Sequence, residues 1–187
     1  LSSEVAANLK IIREAGESLM VLLNDVLDMS KVEAGRLELE KTPFRPVAVV
    51  EEALQILQVL AREKRIALSL AAGGCGELSI HGDPVRFRQV VLNLLNNAIK
   101  FTPRGTVTIV MSAEQKPAGA DRGEPSAIVR VEVRDTGIGV PKSQEARLFQ
   151  PFVQADASTA RRYGGTGLGL SLSKRLVQAM GGDIGFS

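Results

Sequence analysis

Three polar side chains fall on one face of an otherwise apolar helical stretch. In VVLNLLNNAIKFT (residues 90–102), Asn93, Asn97 and Lys100 stand at i, i+4 and i+7. That spacing puts two amides and one ammonium on a common face. Val90, Val91, Leu94, Leu95, Ala98 and Ile99 recur at helical spacing and face a core. Asn96 lies one helical step, about 100°, off the polar line and reads as a solvated or capping residue. Asparagine is a weak helix former, and a buried amide is costly without a partner. The amides of Asn93 and Asn97 therefore bind either buried backbone groups or a ligand. Two glycine motifs follow, DTGIG (135–139) behind an alternating strand and GGTGLGL (164–170) opening a helix. Glycines there let backbone approach a ligand closely, and a helix start offers free N–H groups to phosphate. Neither motif is a P-loop or a GxGxxG dinucleotide fingerprint. Each by itself is more often a turn than a ligand site; their order along the chain is what carries chemistry.

The flanking segments supply the scaffold. Residues 1 to about 34 read as one long helix with a heptad seam of Val5, Leu9, Ile12, Gly16, Leu19, Leu23 and Val26. Such a helix runs roughly 45 Å and cannot bury its own stripe. Gly35 ends it, and LELEKTPFRP reads as a short strand or extended linker. Pro46 starts a second helix to about Arg65. IALSL (66–70) and LSI (78–80) read as short strands. Asp83 and Pro84 supply an N-cap and first-turn proline for the amide-bearing helix, which Pro103 and Gly105 terminate. TVTIVMSA (106–113) and AIVRVEVRD (127–135) alternate with period two, Val129, Val131 and Val133 facing inward. A polar loop separates them. A short helix near Ser143 to Phe149, a polar stretch, a helix from the second glycine motif to about Met180 and a strand start at DIGFS complete the chain. The mixture predicts an α+β, two-layer α/β sandwich rather than regular βαβ alternation.

Composition narrows the class. The chain has 187 residues, a formal net charge of +2 and 44% hydrophobic residues. One domain plus a smaller piece fits that length, and the charge balance does not point to nucleic acid. No apolar run reaches the roughly 18 residues that a membrane span needs. Cys75 and His81 are the only cysteine and histidine, which excludes a disulfide framework or zinc cluster and fits a cytoplasmic setting.

Taken in order, these motifs resemble the ATP-binding catalytic domain of sensor histidine kinases, closest to the hybrid type. That domain has the Bergerat fold shared with gyrase, a heat-shock chaperone and mismatch-repair ATPases. NLLNNAIKFT looks like the N box, DTGIG the G1 box, LFQPF (148–152) the F box and GGTGLGL the G2 box. LLNDVLDMSKVEAG (22–35) is similar to the end of the second helix of the dimerisation domain. The resemblance implies a helical-hairpin dimerisation and histidine-phosphotransfer element over residues 1–40 and a catalytic domain over 41–187, its last strand beyond the chain. It also implies a phosphoacceptor histidine upstream, so that no catalytic residue of that kind lies in this chain. His81 has the wrong context for that role.

The family's roles carry over residue by residue. ATP and Mg²⁺ are the implied ligands. Asn97 would give an amide oxygen to Mg²⁺, with Asn93 beside the same metal directly or through water. Lys100 would neutralise phosphate charge. Asp135 would accept from the adenine amine, with Gly137, Ile138 and Gly139 closing around the base. Gly165, Thr166, Gly167, Leu168 and Gly169 would set backbone donors on the phosphates. Phe152 and Tyr163 would border the nucleotide, and residues about 153–163 would form a lid. Arg161 and Arg162 in it touch phosphate or are simply solvated. Hydrolysing relatives carry a glutamate where this chain has Asn93, and an amide cannot take a proton from water at neutral pH. The implied reaction is transfer to a protein histidine; a same-fold ATP hydrolase and a nucleotide-binding scaffold are the alternatives. Implied partners are a second copy, paired through the N-terminal helix, and a receiver domain of a response regulator in cis or trans, with no nucleic acid.

Overall fold

The computed structural model describes residues 3–116, 126–153 and 167–187. A helix α1 (Ser3–Glu33) leads into β1 (Thr42–Phe44), α2 (Pro46–Glu63) and β2 (Ile66–Ala71). Next come β3 (Ile80–Gly82), α3 (Pro84–Phe101), β4 (Gly105–Lys116) and β5 (Ser126–Asp135). A single-turn α4 (Lys142–Glu145) and α5 (Gly169–Ala179) follow.

A three-stranded sheet has the order β2-β4-β5, with β2 parallel and β5 antiparallel to β4. Period-two patterning sets its inner face: Val107, Ile109 and Met111 are fully buried, and Val129, Val131 and Val133 pack beside them. Helices α2 and α3 cover that face. Val50, Ala53, Leu57 and Ala61 from α2 meet Val91, Leu95, Ala98 and Ile99 from α3 in the same core. This is the expected two-layer α+β sandwich. A Leu95→Ala variant should lose about 2–5 kcal/mol of stability, readable as a lower urea midpoint, because Leu95 is wholly buried.

Asp83 caps α3 as its sequence signature predicts: Oδ1 accepts from the N–H groups of Val85 (3.0 Å) and Arg86 (2.9 Å). Its Oδ2 accepts from the Glu40 N–H at 3.2 Å, which ties the segment after α1 to the same cap.

Several expected boundaries shift. The strand expected at 78–80 forms at Ile80–Gly82, because its partner is β1, antiparallel with Phe44 opposite Ile80. The helix expected near 143–149 is only Lys142–Glu145, followed by turns. DIGFS, expected to start a strand, is in no strand or ladder of the described residues.

The seam of α1 is exposed over most of its length; Leu9, Ile12, Leu19 and Leu23 are each about half exposed or more. Its last turns find partners within the chain. Val32 and Leu37 pack with Val90, Leu172 and Leu176 of α3 and α5. Arg86 Nη1 meets Asp28 Oδ2 at 2.6 Å, and Gln89 Nε2 donates to the same oxygen at 3.0 Å. Arg175 Nη2 reaches Glu33 Oε1 at 3.0 Å.

Burial alone would raise the Asp28 carboxyl. The hydrogen bonds from Gln89 and Arg86, with the charges of Arg86 and Lys31, outweigh it and hold the group below its usual value of 3.8. A lowered carboxyl stabilises the fold above its unfolded pKa and loses that contribution as pH falls through the folded one. The contact of Asp28 with Arg86 and Gln89 therefore stabilises the fold at neutral pH and loses that contribution in acid, below pH 3.8. Asp28→Ala leaves the Arg86 guanidinium short of its anion. It should cost about 1–3 kcal/mol and speed proteolytic cleavage between Glu33 and Glu40.

Candidate functional site

Helix α3 touches both glycine motifs, and that places the site. At its C-terminal end the Phe101 carbonyl accepts from the Ile138 N–H at 3.2 Å. The fully buried Thr102 approaches with Oγ1 at 3.5 Å from Asp135 Oδ1. The Gly137 N–H donates to the same Oδ1 at 2.8 Å, an Asx turn that fixes the carboxylate. A side chain at Gly137 has no room, because a Cβ would lie 2.5 Å from the Phe101 carbonyl oxygen and 2.7 Å from Asp135 Oδ1. The DTGIG loop is thus pinned to the end of α3. Ile138 is 60% exposed, an apolar side chain presented outward.

Two turns upstream, α5 packs on α3. A Cβ on Gly169 would come within 2.3 Å of Asn93 Oδ1, so only glycine admits that approach. Asn93 Nδ2 donates to Ser173 Oγ at 2.8 Å, and Asn97 Nδ2 donates to Asn93 Oδ1 at 3.5 Å. Asn96 is exposed, as its angular position predicts. From Asn93 to Thr102 the site follows about 13 Å of helix axis.

Lys100 is half-buried on the same face, with its ammonium 4.9 Å from the Phe101 ring centroid. Burial first, and the charge of Lys64 second, lower its pKa from 10.5. An anion placed there relieves both effects. Lys64 Nζ itself donates to the carbonyls of Ile99 (3.0 Å) and Lys100 (3.1 Å), a cation on the negative end of α3.

The F-box and G2-box segments also meet. The Phe152 N–H donates to the Gly167 carbonyl at 3.0 Å, and both residues have positive φ, 60° and 70°. Phe152 is 74% exposed. Gly139 also has positive φ, and it has open space around it. Leu168 is buried, and its carbonyl accepts from the Leu172 N–H at 2.8 Å and the Ser171 hydroxyl at 2.8 Å. Tyr163, Gly165 and Thr166, with Arg161 and Arg162, lie outside the described residues.

Sequence reasoning missed Thr102, Lys64 and Ser173. Thr102 reads simply as a helix terminus. Ser173 left one signal: it is polar among the apolar residues Leu172 and Leu176, one turn after Gly169. Among the described residues no group of three or more His, Cys, Asp or Glu could hold a metal ion, and no helix is long and apolar enough to cross a membrane.

A strand-end aspartate is held by its own loop, and a glycine-opened helix packs on the amide-bearing one. The chain belongs to the family of histidine kinase-, DNA gyrase B-, and HSP90-like ATPases, whose profile matches residues 82–187.

Its relatives are narrower. It is 41% identical over 179 residues to the signal transduction histidine-protein kinase BarA of Escherichia coli (strain K12), covering 96% of this chain and 19% of BarA. It is 44% identical over 178 residues to the circadian input-output histidine kinase CikA of Synechococcus elongatus, covering 94% of this chain and 22% of CikA. The crystal structure of full-length ShkA in complex with AMPPNP superposes with a TM-score of 0.75 at 34% identity, over 97% of this chain and 35% of that one. The chain spans about a fifth of the length of these curated relatives.

Proposed function

We propose that this chain is the ATP-binding catalytic region of a sensor histidine kinase, passing the γ-phosphoryl group of ATP to a histidine on a helix upstream of Leu1. The observation that carries this reading is the contact of one helix, α3, with both glycine motifs. Asp135 then stands at the C-terminal end of α3 with Lys100 close by, and Asn97 and Asn93 follow one and two turns further back along the helix.

Asp135 would accept from the adenine exocyclic amine. With Oδ1 already taken by the Gly137 N–H, Oδ2 is the oxygen left for the base. Guanine has a carbonyl acceptor at that place, so the carboxylate selects against it. Ile138 and the Gly137–Gly139 backbone would wall the ring, and Phe152 and Tyr163 would border it. Lys100 and the N–H groups of Gly165–Gly169 would neutralise and hold the phosphates.

The donor set fits Mg²⁺. Asn97 offers a hard amide oxygen, and with no acidic cage among the described residues the ion would keep several waters, as Mg²⁺ does. The ion would supply neutralisation of the phosphate charge. Asn97 is its ligand in this reading. Asn93 stands beside it, and both its amide atoms contact protein groups.

Transfer rather than hydrolysis is favoured by Asn93, which cannot serve as a base for water. Residues 1–40 would belong to the dimerisation element and 41–187 to the catalytic domain. The exposed α1 seam would pair two copies. A receiver domain of a response regulator would be the next phosphate acceptor, and this region would be cytoplasmic; a 40% identical relative is named hybrid signal transduction histidine kinase A.

The test is to restore the upstream helix with its histidine and supply γ-labelled ATP. An acid-labile, base-stable label should appear and should be lost in Asn97→Ala. Steady phosphate release with no labelled histidine would favour the hydrolase instead. The same longer chain should sediment as a dimer at micromolar concentration.

A further inference from the structure

We propose that Ser173 is a positioning residue for the divalent-cation site, holding the Asn93 amide in the sense that leaves the Asn97 carboxamide oxygen available. The inference rests on the reading of Asn97 as the Mg²⁺ ligand.

Ser173 lies one turn into α5, beside the residues that pack on α3, and is 2% exposed. A hydroxyl so buried needs a protein partner, and the partner is Asn93, whose Nδ2 donates to Oγ at 2.8 Å. With Nδ2 engaged, Asn93 Oδ1 faces the next turn of α3, where Asn97 Nδ2 donates at 3.5 Å. Each amide thus gives its NH₂ backward along the relay, and the relay ends on Asn97 Oδ1. Gly169 closes the other side: a Cβ there would lie 2.3 Å from Asn93 Oδ1, so the amide sits between α5 positions 169 and 173.

Direction is the point of the arrangement. A reversed Asn93 would aim its NH₂ at Asn97 and draw the Asn97 oxygen toward it. The NH₂ group left facing the ion is only a donor, and a hard cation takes oxygen. Groups that orient a metal ligand commonly change metal affinity about 10- to 100-fold when removed. The relay also couples α5, which opens at the G2 box, to the metal-facing turn of α3.

The experiment measures binding of the non-hydrolysable ATP analogue AMPPNP to this chain by calorimetry, in EDTA and across a Mg²⁺ titration. Thermal melting of each variant sets a temperature at which it is folded. Ser173→Ala should raise the half-saturating Mg²⁺ concentration about 10-fold, with metal-free affinity changed less than about twofold. Ser173→Cys, similar in volume but a poor acceptor, should behave like Ser173→Ala, whereas Ser173→Thr should stay near the parent. Asn97→Ala should abolish the Mg²⁺ effect, and adding Ser173→Ala to it should change nothing more.

If Asn97→Ala leaves the Mg²⁺ effect intact, the ligand reading fails and the relay falls with it. If Asn97→Ala removes the effect but Ser173→Ala does not alter it, the relay alone is wrong. An equal loss in EDTA and in Mg²⁺ for Ser173→Ala would reduce the residue to packing and overturn the proposal.

Discussion

Asp135→Ala should lower the affinity for ATP about 100-fold, because a charge-assisted hydrogen bond to the base is worth about 1.5–3 kcal/mol. The loss has two parts. The adenine amine is left without its acceptor, and the loop loses the carboxylate that the Gly137 N–H grips at 2.8 Å. Asp135→Asn separates them. Its amide oxygen can still accept from Gly137 and hold the turn, but the charge is gone, so an intermediate loss of about 10-fold is expected. Equilibrium binding of ATP and GTP to the three proteins is the measurement. The parent should prefer ATP, and the preference should disappear in Asp135→Ala. Unchanged ATP affinity in that variant would remove the adenine assignment.

Introducing one methyl group at Gly137 should do comparable damage by a different route. The new Cβ would meet the Phe101 carbonyl oxygen at 2.5 Å and Asp135 Oδ1 at 2.7 Å. The first is backbone at the end of a packed helix and cannot swing aside. The loop must therefore move off α3, breaking the Ile138 N–H to Phe101 bond and turning the carboxylate. Overpacking of this kind costs about 1–3 kcal/mol of stability. Nucleotide affinity should fall at least about 10-fold, since displacement of positioning groups by 1 Å is felt strongly. Denaturation and ATP titration of Gly137→Ala read the two effects separately. A variant that binds ATP normally would show that the loop reaches the base without its anchor on α3.

Much of this was legible in the chain itself. Asp83 and Pro84 announce the start of α3, and the alternation in AIVRVEVRD announces β5, because capping and period-two burial act over a few residues. Asn93 and Asn97 stand out because amides are out of place in an apolar helix. The short elements were less legible. The expected strand at 78–80 moved to Ile80–Gly82 because its register belongs to β1, some 40 residues earlier. DIGFS has strand-like composition but joins no ladder among the described residues. The exposed seam of α1 was visible as a heptad pattern. Which of its turns dock on α3 and α5 was not, since Asp28 and Arg86 are 58 residues apart.

The sequence by itself therefore determined the residue chemistry: an aspartate at a strand end, two amides and an ammonium on one helix face, and glycines where backbone must come close. It also determined that position 93 holds an amide and not a carboxylate. Only the tertiary structure decided what each group faces. Thr102 meets Asp135 across 33 residues and Ser173 meets Asn93 across 80. Spacing along the chain governs local periodicity and caps. The orientation of an amide depends on its hydrogen-bond partner, and that partner is supplied by whichever distant element packs against it.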